Sequence, residues 1–111
     1  MEADWVKRER DGRLARRLPV GIRVYLGSLE NYGPIETSRT ENVGPQGARL
    51  VTQRPWHARE AVLILVSHTN LRIRGEVIYC VPREDGKFEV GVGWKSPPVN
   101  WTDMPPEALA S

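Results

Sequence analysis

The sequence predicts an all-β domain of six antiparallel strands, and three observations support this. Six segments have strand-like residue patterns, short turns rich in Gly, Pro, Asn and Asp separate them, and no internal segment has the periodicity of an amphipathic helix. Such a chain folds as an antiparallel sandwich or as a small closed barrel. We favour the six-stranded β-barrel because closure leaves no unpaired strand edge.

Length and composition indicate a single domain. A chain of 111 residues can bury one hydrophobic core but not two. Its hydrophobic content of 40% and charged content of 27% exclude the composition of a disordered protein. We expect a flexible basic arm over residues 1–18, the barrel over residues 19–95, and a proline-rich tail over residues 96–111 with at most a short helical turn at residues 107–110.

The first three strands follow the basic arm. Between residues 20 and 26, Val, Ile, Val and Leu alternate with Gly, Arg and Tyr, which predicts a half-buried strand. Residues 27–34 have the composition of a loop, and the threonine-rich segment 35–43 predicts a strand with one exposed face. The four residues from Gly44 to Gly47 predict a turn that leads into a short strand over residues 48–52.

The last three strands are more apolar. The continuous apolar run 61–66 predicts a strand covered on both faces, and residues 68–70 predict a turn. In the segment 71–81, Val77, Tyr79 and Val81 share one phase, and Gly75 on the same phase predicts a bulge or bend. The pair Asp85-Gly86 predicts a tight hairpin into the strand 88–94.

Basic residues are concentrated near the N-terminus, although the formal net charge is only +2. An arginine guanidinium binds phosphate oxygens in a bidentate way, so this cluster suits a phosphate-bearing partner. The alternative is a solvated basic arm that binds nothing. The cluster consists of Lys7, Arg8, Arg10, Arg13, Arg16, Arg17 and Arg23.

Cysteine content and hydropathy favour a cytoplasmic protein. The single cysteine, Cys80, excludes an intramolecular disulfide and suits a reducing compartment. No apolar run reaches 18 residues, and the charged N-terminal residues are not typical of a signal peptide. We therefore expect a cytoplasmic location and no membrane partner.

No residue pattern in the sequence is typical of an enzyme or of a metal site. His57, His68 and Cys80 do not have the spacing of metal ligands, and Cys80 is expected to be a packed, unreactive thiol. The sequence contains no nucleophile elbow, no phosphate-binding glycine loop and no paired acidic cluster. We expect a protein without catalytic activity, metal or cofactor.

Three tryptophans could serve as stacking platforms for nucleobases or as core residues. Trp94 closes an apolar strand, which favours the core, and Trp101 lies in the proline-rich tail. Trp56 and His57 lie in a loop beside two arginines. They either form a rim for a ligand or partner, or Trp56 caps the barrel mouth.

The order of these features resembles that of the PilZ domain, a small bacterial β-barrel. The arm ends in Arg-x-x-x-Arg (Arg13 to Arg17), and Pro19-Val20 begins the first strand. Residues 42–50 then have the pattern Asn-x-x-x-x-Gly-Ala-Arg-Leu, and a hairpin containing Gly-x-Val motifs follows over residues 75–94. The resemblance covers residues 13–95, which is most of the chain.

The resemblance implies a receptor for cyclic di-GMP, a dinucleotide second messenger. In such domains the two arginines clamp the phosphates and the guanine faces, and the Asn motif holds a guanine edge. The matching ligand-binding residues are Arg13 and Arg17 with their neighbour Arg16, then Asn42, Gly44 and Gly47, with Arg49 in the same motif.

One position departs from the pattern. Gly44 stands where the family has serine, and Pro45 after it stiffens the turn. Loss of one hydrogen bond in a site costs about 0.5–1.5 kcal/mol, so the affinity is expected to be reduced.

Three functions follow from these observations. The first, which we favour, is a cyclic di-GMP module whose arm closes over the ligand and changes a surface for an unidentified effector protein. The second is a PilZ-like interaction domain that needs no ligand. The third is a basic barrel that binds RNA or single-stranded DNA through its arm and Trp56.

Overall fold

The computed structural model describes residues 17–95 and 97–110, and they form a closed antiparallel β-barrel. The strand order around the barrel is β1-β2-β3-β6-β5-β4, and β1 closes it by pairing with both β2 and β4. The predicted six-stranded barrel is therefore confirmed. The strands are β1 (Arg23–Ser28), β2 (Glu36–Gly44), β3 (Gly47–Thr52), β4 (Ala61–Val66), β5 (Arg72–Pro82) and β6 (Phe88–Gly93).

Alternating apolar residues build the core. Along the regular stretches of the strands every second side chain points into the barrel, where burial removes apolar surface from water. Three of the predicted turns are present: Pro45-Gln46 joins β2 to β3, Gly86 has a φ of 86° between β5 and β6, and His68 has a φ of 61° after β4. The largest fully buried apolar side chains are Ile22, Val24, Leu26, Val43, Leu50, Val62, Ile64, Val77 and Val90.

The bulge predicted at Gly75 is wrong. The register of β5 against β6 shifts between Val77 and Tyr79, not at Gly75. A Cβ atom at Gly75 would lie 2.8 Å from Val92 Cγ1 and 2.9 Å from the carbonyl oxygen of Gly93. Glycine is required there because β5 approaches β6 too closely for a side chain.

The prediction that both faces of β4 are covered is wrong for the outer face. Val62, Ile64 and Val66 are buried inside the barrel, as expected. Leu63 and Leu65 point outward and remain partly exposed. The described residues therefore leave an apolar strand face in contact with solvent.

Both ends of the described chain pack against the barrel. Leu18, which the sequence placed in the arm, forms a β-bridge with Val43, whereas residues 1–16 lie outside the described residues. The tail contains two short 3-10 helices, η1 (Trp101–Asp103) and η2 (Pro106–Ala108). Trp101 and Ala108 are buried. The helical turn predicted at residues 107–110 is thus real but begins at residue 106.

Candidate functional site

Two β-bulges turn side chains of β2 and β5 towards the outside of the barrel. The register between β2 and β3 shifts between Thr40 and Asn42, so Thr40 is buried while Asn42 faces outward. The register between β5 and β6 shifts between Val77 and Tyr79, so Val77 is buried while Tyr79 faces outward. An extra residue in one strand reverses the facing of the residues that follow it.

These outward residues form a continuous row across four strands. Asn42 pairs with Arg49, Arg49 pairs with Gly91, and Gly91 pairs with Tyr79. Directly opposed residues on antiparallel strands share one face of the sheet. We call this surface, together with Gly44, Gly47 and Gly93 beside the row, the glycine face.

Gly91 provides the space that the ring of Tyr79 occupies. A Cβ atom at Gly91 would lie only 2.3 Å from Tyr79 Cε2. The hydroxyl of Tyr79 donates a hydrogen bond to Glu89 Oε2 at 3.1 Å. The ring therefore lies directly on the backbone of β6, and about one third of the residue (37%) stays exposed.

Arg17 lies over the β2–β3 hairpin. The Leu18–Val43 bridge, with N···O distances of 2.7 and 2.9 Å, fixes the chain just after Arg17 to the end of β2. Arg17 Nη1 lies 3.1 Å from the position of a Cβ at Gly44 and 3.2 Å from the position of one at Gly47. The two glycines thus allow the guanidinium to rest against the hairpin backbone.

The environment of Arg17 affects its ionisation. Burial of one side of the guanidinium lowers the pKa of Arg17, and the nearby charge of Arg49 lowers it further, while the Tyr79 hydroxyl acts in the opposite direction. Two arginines close together favour an anion between them. The ionisation of Arg17 is therefore coupled to the charges of Arg49 and Tyr79.

Arg49 is held by carboxylates of the same outer surface. Its Nε lies 3.4 Å from Glu41 Oε1, and its Nη1 lies 3.7 Å from Glu89 Oε2. Arg83 Nη1 reaches the other oxygen of Glu41 at 2.7 Å. These ion pairs are partly exposed, so each is weak and a ligand phosphate can compete for Arg49.

Asn42 contributes an unsatisfied acceptor. Its Oδ1 is buried and accepts no hydrogen bond within the described part of the chain. A buried polar atom without a partner costs about 1–3 kcal/mol. A donor from outside could recover that cost only after the side chains that cover this atom move aside.

Trp94 and the tail hold the hairpin through hydrogen bonds to its backbone carbonyls. The indole nitrogen of Trp101 donates to the Gly44 carbonyl at 2.6 Å, and that of Trp94 donates to the Pro45 carbonyl at 2.9 Å. The backbone nitrogen of Val99 also donates to Pro45, at 2.8 Å. The position of the hairpin therefore depends on the C-terminal residues.

The structure brings together five of the predicted ligand-binding residues. Arg17, Gly44 and Gly47 meet at the hairpin, and Asn42 and Arg49 are cross-strand partners beside it. The other two predicted residues, Arg13 and Arg16, lie outside the described residues.

Sequence reasoning missed Tyr79 by placing it on the core phase with Val77. The signal was present in the Asp85-Gly86 hairpin. Counting back from that turn pairs Val81 with the polar Glu89 on the outside, which places Tyr79 on the outside as well. The bulge explains why odd-numbered residues of β5 face inward before it and outward after it.

Trp56, Trp94 and Cys80, which were also considered from sequence, pack into the barrel, whereas His57 and His68 are exposed. Trp56 is buried, donates to Glu36 Oε1 at 3.2 Å and lies under the guanidinium of Arg54, so its ring is not exposed for stacking. Trp94 is also buried. Cys80 is partly buried and accepts a hydrogen bond from the Trp56 backbone nitrogen at 3.4 Å, as expected of a packed thiol.

Residues 17–95 and 97–110 contain no group of three or more His, Cys, Asp or Glu side chains arranged to hold a metal ion. Within the same residues, no helix has the length and apolarity that crossing a membrane requires. No protein-family model matches the chain, and no curated protein matches it.

Proposed function

We propose that the glycine face binds cyclic di-GMP and that the protein is a signalling module without catalytic activity. The observation that carries this proposal is the convergence of Arg17, Asn42 and Arg49 around the Gly44–Gly47 hairpin. Cationic forks, an amide oxygen and an aromatic ring within one shallow surface suit an anionic purine dinucleotide.

Each group has a plausible partner on the ligand. The guanidinium groups of Arg17 and Arg49 match phosphate oxygens. The unsatisfied Oδ1 of Asn42 would accept from the exocyclic amino group of guanine once the side chains that cover it move aside. The partly exposed ring of Tyr79 offers a stacking surface for a purine.

Isothermal titration calorimetry with cyclic di-GMP tests the proposal. We expect saturable binding that Arg17→Ala weakens by about tenfold or more, because a charge-assisted hydrogen bond contributes about 1.5–3 kcal/mol. The matched control is Arg72→Ala, an exposed arginine of β5 outside the glycine face. Absence of saturable heat at high micromolar ligand would overturn the proposal, and so would equal losses in the two variants.

A second candidate is a PilZ-like interaction domain that needs no ligand. It is favoured by the way the chain fills the site itself: Arg17 rests on Gly44 and Gly47, and Arg49 contacts Glu41 and Glu89. A serine at position 44 would meet Arg17 and displace it from the hairpin while restoring the hydroxyl of the family pattern. If Gly44→Ser binds cyclic di-GMP and the natural chain does not, the second candidate is the correct one.

A further inference from the structure

An apolar surface lies on the other side of the barrel, where β1 and β4 pair. Tyr25 of β1 is directly opposite Leu65 of β4, and Gly27 is opposite Leu63. Ile35 covers Gly27, since its Cγ1 lies 3.6 Å from the position of a Cβ there. Opposed residues share a face, so Tyr25, Ile35, Leu63 and Leu65 form one outer surface, which we call the leucine face.

The residues of the leucine face are exposed to different degrees. Ile35 is 63% exposed and Tyr25 is 37% exposed, while Leu63 and Leu65 are partly exposed. A continuous apolar run of strand length is consistent with a strand that is covered on both sides. A contiguous apolar patch without a cover marks an interaction site.

Four arginines border the leucine face at one end and along β5, and we call them the arginine rim; Glu76, opposite Ala61, lies beyond Arg74 on the same strand. Arg23 and Arg39 are directly opposite each other on β1 and β2. On β5, Arg72 is opposite Leu65 and Arg74 is opposite Leu63. In the described part of the chain, no carboxylate lies within salt-bridge distance of these four guanidinium groups.

The arrangement of the rim is unfavourable for the chain alone. Like charges directly opposite each other on neighbouring strands are destabilising, and Arg23 and Arg39 are such a pair. Carboxylates of a partner would relieve this repulsion. At interfaces, electrostatic complementarity around an apolar centre sets specificity and association rate.

We propose that the leucine face with its arginine rim is a docking surface for an acidic protein partner. The partner would cover Leu63 and Leu65 with apolar side chains and place Asp or Glu residues against the rim. An acidic partner is favoured over a second copy of this chain because its carboxylates would complement the four arginines of the rim. A second copy docking through the same face would bring two rims, eight arginines in all, together. Of the four residues of the leucine face, only Tyr25 offers a nucleic acid a ring to stack on, and bases would leave Ile35, Leu63 and Leu65 without apolar partners.

A membrane surface fits the geometry less well than a protein does. Leu63 and Leu65 are only partly exposed and have arginines on the neighbouring strand, so they do not project beyond the charged side chains. Membrane-binding elements bury a protruding apolar face in the acyl region. A protein surface can instead pack directly onto the sheet.

The probe for this proposal is a short fluorescein-labelled peptide that alternates leucine with glutamate, and the readout is its fluorescence anisotropy. We expect saturable binding at low salt, with little binding of the same peptide carrying lysine in place of glutamate. Arg39→Glu should weaken binding roughly fivefold or more, because reversing a rim charge removes attraction and adds repulsion. That substitution creates an opposed Glu–Arg pair with Arg23, so the fold is retained.

Matched control variants distinguish an effect at the leucine face from a general effect of altered charge or lost apolar surface. Lys87→Glu makes the same charge change at the β5–β6 hairpin and should leave peptide affinity unchanged. Ile35→Ser should weaken binding, whereas Val81→Ser, at an outward valine that is 45% exposed on β5, should not. All four sites are at least partly exposed, so folding is expected to be preserved and is checked by circular dichroism.

Several results would overturn the proposal. They are the absence of peptide binding, equal binding of the lysine peptide, and equal losses in Arg39→Glu and Lys87→Glu. Binding of phosphatidylserine vesicles or of a thymidine oligonucleotide that Arg39→Glu abolishes, with the peptide unaffected, would assign the face to a membrane or a nucleic acid. Self-association that Ile35→Ser abolishes would assign it to a second copy.

Discussion

The glycine face and the leucine face occupy two sides of one small barrel but are built differently. The glycine face depends on two β-bulges, at the register shifts before Asn42 and before Tyr79, and on glycines that let side chains rest on the backbone. The leucine face lies on β1 and β4, whose pairing has a regular register. Irregular strands thus produce a polar surface lined by glycines, whereas regular strands present an apolar surface.

The two faces also differ in how their arginines are compensated. Arg49 on the glycine face has Glu41 and Glu89 beside it. On the leucine face, the arginine rim has no such carboxylate among the described residues. In the two complexes that we propose, a ligand phosphate replaces a carboxylate beside Arg49, whereas the anions at the arginine rim come from the partner protein.

The largest expected effect comes from removing the indole donor at each end of β2. Trp101 holds the Gly44 carbonyl at 2.6 Å, and Trp56 holds Glu36 Oε1 at 3.2 Å. Trp101→Phe leaves a buried carbonyl without its partner and should lower the free energy of unfolding by about 2 kcal/mol, measured by urea denaturation. Trp56→Phe should cost about 1 kcal/mol.

The same pair of variants separates the two faces by binding. Trp101→Phe should reduce cyclic di-GMP affinity without affecting the leucine–glutamate peptide, because Gly44 belongs to the glycine face. Trp56→Phe should do the reverse, because Glu36 adjoins Ile35. If either variant changes both affinities equally, the two faces are not independent.

A smaller effect is expected when one glycine on each face is replaced by alanine. At Gly91 the added methyl group would meet the Tyr79 ring, so Gly91→Ala should expel the ring and lower stability by about 1 kcal/mol. At Gly27 it would make an ordinary 3.6 Å contact with Ile35, so Gly27→Ala should be neutral or stabilising by up to about 1 kcal/mol. Thermal denaturation compares the two, and equal effects would contradict the special role of Gly91.

The smallest effect is a pH dependence confined to the glycine face. Burial raises the pKa of Tyr79, and the hydrogen bond and charge of Glu89 raise it further, against the opposing charges of Arg49 and Arg17. A group with a raised pKa in the folded state stabilises the fold below its unfolded pKa, about 10 for tyrosine, and that stabilisation is lost as the pH rises through the folded value. Tyr79→Phe should therefore lose less stability than the natural chain above about pH 10. Parallel alkaline profiles of the urea midpoint would exclude this role.

Much of the fold could be predicted because its signals are local. The alternation of apolar residues predicted β1, and the structure contains that strand. Two turns were likewise predicted from their glycines, one at Gly86 and one between Gly44 and Gly47. The strand boundaries differ from the predicted ones by at most three residues, and Ala61–Val66 agrees at both ends. Closure through the pairing of β1 with β4 was favoured on the general ground that exposed edges are unfavourable.

The remaining features depend on long-range contacts that no local pattern encodes. The bulge before Tyr79 reverses the outer and inner sides of β5 midway, and alternation read from one end of the strand cannot reveal it. The partly exposed outer side of β4 was unexpected. Hydropathy indicates which side chains can be buried, but it does not show whether another element of the fold lies over them. The docking of Trp101 on Gly44 joins residues 57 positions apart.

The contacts of Trp94 and Trp101 give the hairpin an intrinsic optical reporter. Their ring centroids lie 6.0 Å apart; the indole N–H of Trp94 donates to the Pro45 carbonyl, and that of Trp101 donates to the Gly44 carbonyl. Indole emission responds to the hydrogen bonding and polarity around the ring, so a shift of the hairpin alters the fluorescence spectrum without any attached dye. The chain has four tryptophans, and the difference spectrum between the natural chain and Trp101→Phe isolates the contribution from this end of the barrel.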